Sequence, residues 1–411
     1  MEFNYQKLFL ALLPDLLVVV ALFAALGVDY SRMRGSRLVK RYQVACQISA
    51  GGLIAGLAVL LLQLTQAWSF TALASMTEGQ LVLTRGTLTL KALLYGMGLG
   101  VLPLAKRDQI TPQVSEYFAL LLLATLGMGF VVTSRNLLGA FVALELVSLS
   151  LYAMTVLNQA SRASAEAGLK YLTFGAVASG FLLFGLSYLY GVTGQLDLTQ
   201  MTDLQHSPLL VLAYLLSFVG LGFKLALSPF HLWAPDVYQN APTPVAGWIG
   251  SGSKIAAAAL LLALLEPVAA SVELKDALLP ALAALAVLSM AVGNLGALRQ
   301  TNLKRLLAYS AIANAGYLVV GVLAFNEVGN QAVLFYILVY SIASLGAFAV
   351  IAVGQLAERG VRCLELIDVG SNSNWDSHGN MADHGRLARA IDRPIAGRLT
   401  DLKQRGMLDR T

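Results

Sequence analysis

The sequence predicts an all-α fold, a polytopic transmembrane helical bundle of about eleven spans, on three observations. Of its 411 residues 57% are apolar and only 12% are charged, with a mean hydropathy of +0.70, whereas soluble domains carry about 25% charged residues. Eleven stretches approach the ~20 apolar residues needed to cross ~30 Å of hydrocarbon. One of them, in FKLALSPFHLWAPDVYQNAPTPV, holds Lys224 and is then interrupted by prolines at 229, 235, 242 and 244. An interruption of this kind frees backbone groups that must be buried in protein or line a wet cavity.

The stretches lie near 8–28, 44–64, 87–104, 115–133, 137–157, 168–190, 208–227, 245–265, 277–298, 303–324 and 331–354. The first lacks a basic leader and a small-residue cleavage site, so it reads as a retained span. The third is diluted by Gly96, Gly98, Gly100 and Pro103, and the seventh is the broken one. Basic residues follow every odd span except the seventh: Arg32 to Arg41, Lys106 with Arg107, Arg162, Arg299 with Lys304 and Arg305, and Arg359 with Arg362. By the positive-inside rule the N-terminus is outside and the residues after 354 are cytoplasmic. Arg85, Lys91, Arg135 and Lys275 run against that pattern.

Composition changes at about 355, after which the chain holds a third of all its charged residues and no run able to span. Residues 355–411 therefore read as a polar cytoplasmic tail, disordered or produced by a truncated or frame-shifted gene. Asp376, His378, Asp383 and His384 in it are solvated residues rather than a metal cluster, since no helix or strand pattern fixes their geometry. Cys46 and Cys363 are too few and too far apart for a disulfide framework or metal site, and read as small apolar fillers.

Ionisable side chains inside spans carry the chemistry. A charge at mid-bilayer costs about 2.5–3.5 kcal/mol on insertion scales, so each needs a partner, water or work to do. Glu145 lies about eight residues from either end of the fifth span, Lys224 in the seventh and Lys254 about nine residues into the eighth. Plainer roles exist: a hydrogen-bonded structural glutamate beside Ser148, a lysine reaching the interface along its stem, and, for Lys304 with Arg305, an interface position at the start of the tenth span. Burial disfavours the charged forms of lysine and glutamate while mutual proximity favours them, so a pair whose spacing or hydration changes can exchange protons. At similar depths Glu145, Lys224 and Lys254 would form a lateral proton relay across three helices. His231, just past Pro229, is a candidate shuttle, or a histidine satisfied by local backbone, and Lys304 is a further candidate site residue.

These residues carry a resemblance. GLGFKLALSPFHLWAPDVYQNAPTPV, with FVALELVSLSLYAM upstream and QTNLKRLLAYSAIANAGYLVVG downstream, resembles the antiporter-like, proton-pumping membrane subunits of respiratory complex I, NADH–quinone oxidoreductase, and subunit N above all. The likeness covers residues 1 to 354. It implies that Glu145 pairs with Lys224, that Lys254 continues the path, and that helices four to eight and nine to thirteen form inverted repeats, each with a broken helix. Residues 1–110 then form a three-helix segment, 111–270 the first repeat and 271–354 an incomplete second one. The resemblance further implies that the chain binds no cofactor and no metal, while NAD, FMN, iron–sulfur clusters and quinone belong to sister subunits. Partners are those membrane subunits, the bilayer, water and protons, with no nucleic acid, in a bacterial inner membrane.

Two departures stand out. Asn314 occupies a tenth-span position where many relatives have histidine, and amide groups carry no proton at physiological pH. The family-like pattern continues through Leu364, Leu366 and Ile367, where relatives have further spans, and then stops. Other classes consistent with the pattern are a subunit of a multisubunit cation/proton antiporter and a non-pumping assembly or scaffold product. An independent solute carrier lacks a polar cluster to hold a substrate.

Overall fold

The computed structural model describes residues 5–65, 77, 79–158, 161–201, 204 and 206–358. From residue 359 onward the expected tail, with its candidate metal residues and Cys363, lies outside the described residues. Thirteen α-helices are described: α1 Tyr5–Val28, α2 Leu38–Thr65, α3 Arg85–Asp108, α4 Val114–Thr133, α5 Leu137–Val156, α6 Arg162–Thr193, α7 Pro208–Leu225, α8 Ala234–Asn240, α9 Thr243–Gly250, α10 Gly252–Leu265, α11 Val272–Leu298, α12 Leu303–Val322 and α13 Glu327–Glu358. Among the described residues there is no strand, and eleven helical stretches are long and apolar enough to cross a membrane. The eighth stretch, Thr243–Ala270, comprises α9 and α10. The eleven spans expected from composition are the eleven observed.

Residues 1–349 form one compact unit, and residues from Val350 onward a second, of which only the end of α13 is described. Within the first unit α4 is the innermost helix, buried nearly all round: Val114, Tyr117, Phe118, Leu121, Leu122 and Val131 are fully covered. Helices α5 and α6 turn Leu138, Val142, Leu149, Phe174, Val177 and Phe184 outward. Such a belt suits lipid, where the helix meets its own backbone hydrogen bonds and offers only apolar side chains.

Local chemistry sets the helix ends. Asn136, Ser161, Ser207, Ser271 and Asn302 each accept a hydrogen bond from a first-turn backbone N–H, capping α5, α6, α7, α11 and α12. Arg41 forks onto both oxygens of Asp29 at 2.7 and 2.6 Å, tying the start of α2 to the π-helical extension of α1. Close helix approach comes from small residues: a Cβ on Gly220 would lie 2.4 Å from Leu182 Cβ and 2.9 Å from the Ala178 carbonyl, so α7 rests on the backbone of α6 only because that carbon is absent.

Candidate functional site

The site is built around the end of α7. Helix α7 stops at Leu225, one residue after Lys224, where Ala226 takes a left-handed conformation (φ 60°) as C-cap. The last carbonyls of a helix lack intrahelical donors and must find others. Here Leu227 N–H donates to Gly222 at 2.7 Å, and Phe223 accepts from Ala226 N–H at 3.0 Å and from the Trp233 indole at 3.0 Å. The Leu225 carbonyl accepts from the ammonium of Lys254, which reaches it from α10. Trp233 also stacks on Tyr171 with ring centroids 4.4 Å apart, so the connection after α7 is clamped to α6 rather than left loose.

The structure brings Glu145 and Lys224 together. Lys224 Nζ lies 4.0 Å from Glu145 Oε1, donates to the hydroxyl of Ser148 and stands 3.3 Å from that of Tyr152. Ser179 on α6 donates to the same carboxylate oxygen at 2.6 Å. Lys224 Nζ also sits over the rings of Tyr152 and Phe223, at 5.5 and 5.6 Å from their centroids. The ammonium is therefore held by hydroxyls and π-faces within reach of a carboxylate that it does not directly grip. Ser148, weighed from sequence as the partner of Glu145, serves Lys224 instead.

Lys254 is 2% exposed and held at the C-terminal end of α7, where the helix dipole favours a cation by about 0.3–1 kcal/mol, more when partly buried. The eighth span has its own interruption: Ser251 leaves helical geometry (φ −120°, ψ −77°) between α9 and α10, three residues before Lys254. The run Gly250-Ser251-Gly252-Ser253 is a sequence sign of a kink that the reading above passed over. Both lysines thus stand beside a helix break. Beyond Lys254 a void of about 10 Å³ is lined by Leu225, Asn314, Tyr336 and Tyr340. Asn314, Tyr336 and Tyr340 also border a cavity of about 330 Å³ between α12 and α13. Asn314 itself is engaged, donating to the Ser310 carbonyl at 2.8 Å and accepting from Tyr336 at 2.5 Å.

Lys304 and Arg305 are not simple interface residues. Lys304 is 9% exposed and donates to the Ala241 carbonyl at 2.5 Å, where α8 gives way to α9. Arg305 donates to Asp236 at 2.7 Å, and Lys170 on α6 donates to the other oxygen of that carboxylate at 2.9 Å. The first turn of α12 thus grips both ends of α8, and Asp236, unnoticed in the sequence, is the hub. His231 lies half-buried on the connection with no protein partner for Nδ1. Burial lowers its pKa, against the pull of the Pro229 backbone, and among the described residues no hydrogen bond or ion pair links it to Glu145 or Lys224.

Asp236 gives a pH prediction. Burial acts to raise its pKa, but the hydrogen bonds from Lys170 and Arg305 outweigh that and hold it below the ordinary carboxylate value. A depressed folded-state pKa contributes stability that is present above the unfolded value of ~3.9 and is lost as pH falls through the folded one. Thermal unfolding of the chain in lipid, followed downward from pH 6, is expected to show a steeper loss in the wild type than in Asp236→Asn. Parallel curves would refute a stabilising role for the hub.

Sequence reading also missed Asp15 on α1 and Lys91 on α3. They form an ion pair at 2.6 Å with side chains 4% and 1% exposed. Lys91 ran against the charge pattern of the connections because it lies in the protein and not in a connection. Arg135, another exception, faces Glu266 at 3.8 Å.

Comparison with known proteins places this geometry. Residues 134–369 match the family described as NADH:quinone oxidoreductase/Mrp antiporter, transmembrane. NADH-quinone oxidoreductase subunit N 2 of Acidobacterium capsulatum is 43% identical over 368 residues, covering 85% of this chain and 73% of that protein. The chain belongs to the NADH-quinone oxidoreductase subunit N family. Another member, from Halorhodospira halophila, is 45% identical over 258 residues, which cover 62% of this chain and 52% of its own. A chain of respiratory complex I from Thermus thermophilus superposes with a TM-score of 0.68 at 36% identity, covering 82% of this chain and 70% of that one. Many relatives are thus matched over only about half their length. Residues 347–411 also match a family described as a protein of unknown function, DUF1501. Both family matches include residues 347–369, so the subunit N likeness overlaps the second one there before it ends.

Proposed function

We propose that the chain is a proton-translocating membrane subunit of an NADH–quinone oxidoreductase, moving protons along Glu145, Lys224 and Lys254 while sister subunits, carrying NAD, FMN, iron–sulfur clusters and quinone, pass electrons from NADH to quinone. The observation that carries it is the line of charged side chains at the end of α7. Glu145 lies 4.0 Å from Lys224, and the carbonyl of the next residue, Leu225, holds Lys254. Closing the first gap by about 1 Å would turn a loose ion pair into a direct hydrogen bond, along which the Lys224 proton can pass to Glu145. Lys224 could then be recharged from Lys254 through water. Beyond Lys254, Asn314 provides no proton-carrying group, so onward passage runs through water and the hydroxyls of Tyr336 and Tyr340.

The same reading puts the subunit in a bacterial inner membrane, N-terminus outside, as the odd-span basic residues favour. It divides the chain into a three-helix segment (1–110), a first repeat (111–270), two helices of a second (271–354) and the tail. The matched family's description also names the Mrp antiporter, which gives the test its second arm. Placed in a bacterial oxidoreductase from which subunit N has been deleted, the full chain is expected to co-purify with the flavin and iron–sulfur subunits and restore the proton-to-electron ratio of NADH oxidation in vesicles. Electron transfer without restored proton movement would refute the proposal, and sodium/proton exchange in antiporter-deficient cells would favour the antiporter reading.

A further inference from the structure

A second buried charge site lies outside this line, in the N-terminal three-helix segment. Asp15 and Lys91 meet at 2.6 Å, and the Tyr95 hydroxyl donates to the other carboxylate oxygen at 2.8 Å. Lys91 Nζ stands over the Phe130 ring at 5.4 Å from its centroid. The parts repeat those of the Glu145–Lys224 pair: a carboxylate on one helix, an ammonium on another, a hydroxyl donating to the carboxylate and an aromatic face under the cation. The first pair is parted and the second closed.

The neighbours are shaped to admit these groups. A Cβ on Gly129 of α4 would lie 3.2 Å from Lys91 Cε, and one on Gly56 of α2 would lie 2.8 Å from the Tyr95 ring and 3.0 Å from the Pro14 carbonyl. Pro14, lacking an N–H, leaves the Leu10 carbonyl without its helical donor. Gln63 on α2 supplies one at 2.7 Å. Ser49, Gly56 and Gln63 recur at intervals of seven, on one face of α2. Ser49 Oγ and Gln63 Oε1 are both buried with no protein partner. They bracket the level of Tyr95 at ~10 Å on either side along that face. A buried oxygen without a protein partner is a place where water binds. Glycine from α2 and glycine and phenylalanine from α4 meet the pair, and none of these is titratable.

The site also stands near the main line. Gly129 packs on Lys91, and the preceding residue, Met128, packs on Gly252, two residues before Lys254. Two faces of α4 about 100° apart therefore carry Lys91 and the helix of Lys254 at one level.

We propose that Asp15, Lys91 and Tyr95 form a second proton-exchange site, separate from the Glu145–Lys224 line and flanked on α2 by the unpaired buried oxygens of Ser49 and Gln63. A proton arriving from water adds to Asp15 Oδ2, which becomes a neutral acid. The ion pair opens, and Lys91 remains a cation over Phe130. Departure of the proton restores the pair, so one proton enters, one leaves, and only an O–H bond forms and breaks.

A closed ion pair of purely structural value predicts something different. Replacing both members by well-packed apolar residues is then neutral or stabilising and leaves activity intact. The first test is Asp15→Leu with Lys91→Met in the assembled oxidoreductase. Retained assembly and NADH oxidation with a lowered proton-to-electron ratio is the expected result, and an unchanged ratio overturns the proposal. The second test does not depend on pumping, so it stands even where the translocation reading fails or the double variant does not assemble. Infrared difference spectra of the full chain in lipid, taken as pH is lowered, are expected to show a carboxylic acid C=O band that moves in Asp15→Glu, which keeps the pair. Absence of an Asp15-dependent band overturns the proposal.

Discussion

Lys224→Ala and Glu145→Ala are each expected to lower proton translocation by about two orders of magnitude, the usual scale for losing a positioned acid or base, while the subunit still assembles. Alanine at 145 removes the carboxylate beside Lys224 and leaves the ammonium to Ser148 and Tyr152. Alanine at 224 leaves Glu145 with the Ser179 hydroxyl alone. Neither change empties the packing around α7, whose end is fixed by Trp233 and by backbone bonds. The decisive variant is Lys224→Arg. A guanidinium keeps the positive charge but does not release its proton in a protein. If Lys224 serves only as a structural cation, arginine should preserve pumping; if it passes protons, arginine should stop it while NADH oxidation and assembly persist. Proton-to-electron ratios in vesicles separate the outcomes, and normal pumping in the arginine variant would refute the relay.

The positions of the spans and the break after Lys224 were legible because both are one-dimensional signals. An apolar run of sufficient length and a cluster of prolines need no partner to be recognised. Glu145 and Lys254 stood out as charges far from a span end, and Lys224 as a charge beside the proline break. What stayed hidden depends on pairing in space. Asp15 and Lys91 lie 76 residues apart, so neither stretch read alone points to the other. Asp236 sits in a connection between spans, where a carboxylate attracts no notice, and only the approach of α6 and α12 makes it a hub. The kink at Ser251 was spelled out by alternating glycine and serine inside an otherwise apolar run. Lys304 was placed at an interface by its position at a helix start. Its contact with Ala241 follows from where α8 ends, which span counting does not reach.

Lys254→Met should separate function from stability most sharply. The side chain is 2% exposed, and no carboxylate stands with it among the ion pairs of the described residues. Its hydrogen-bond acceptor is the Leu225 carbonyl at the end of α7. Methionine matches its length and suits apolar surroundings, so the substitution removes the desolvation cost of a lone buried cation and loses one charge-assisted hydrogen bond. An intramembrane charge costs about 2.5–3.5 kcal/mol on insertion scales, and a hydrogen bond to a charged group returns roughly 1.5–3 kcal/mol. The balance predicts a variant as stable as the wild type, or more stable by on the order of 1 kcal/mol, that no longer translocates protons. A cation retained at a position where an apolar side chain would hold the fold equally well is kept for what it does with its charge. Thermal unfolding in lipid and proton-to-electron ratios on the same preparation test both halves. If Lys254→Met unfolds several degrees earlier, the lysine is a structural cap on α7; if it pumps normally, the line ends at Lys224.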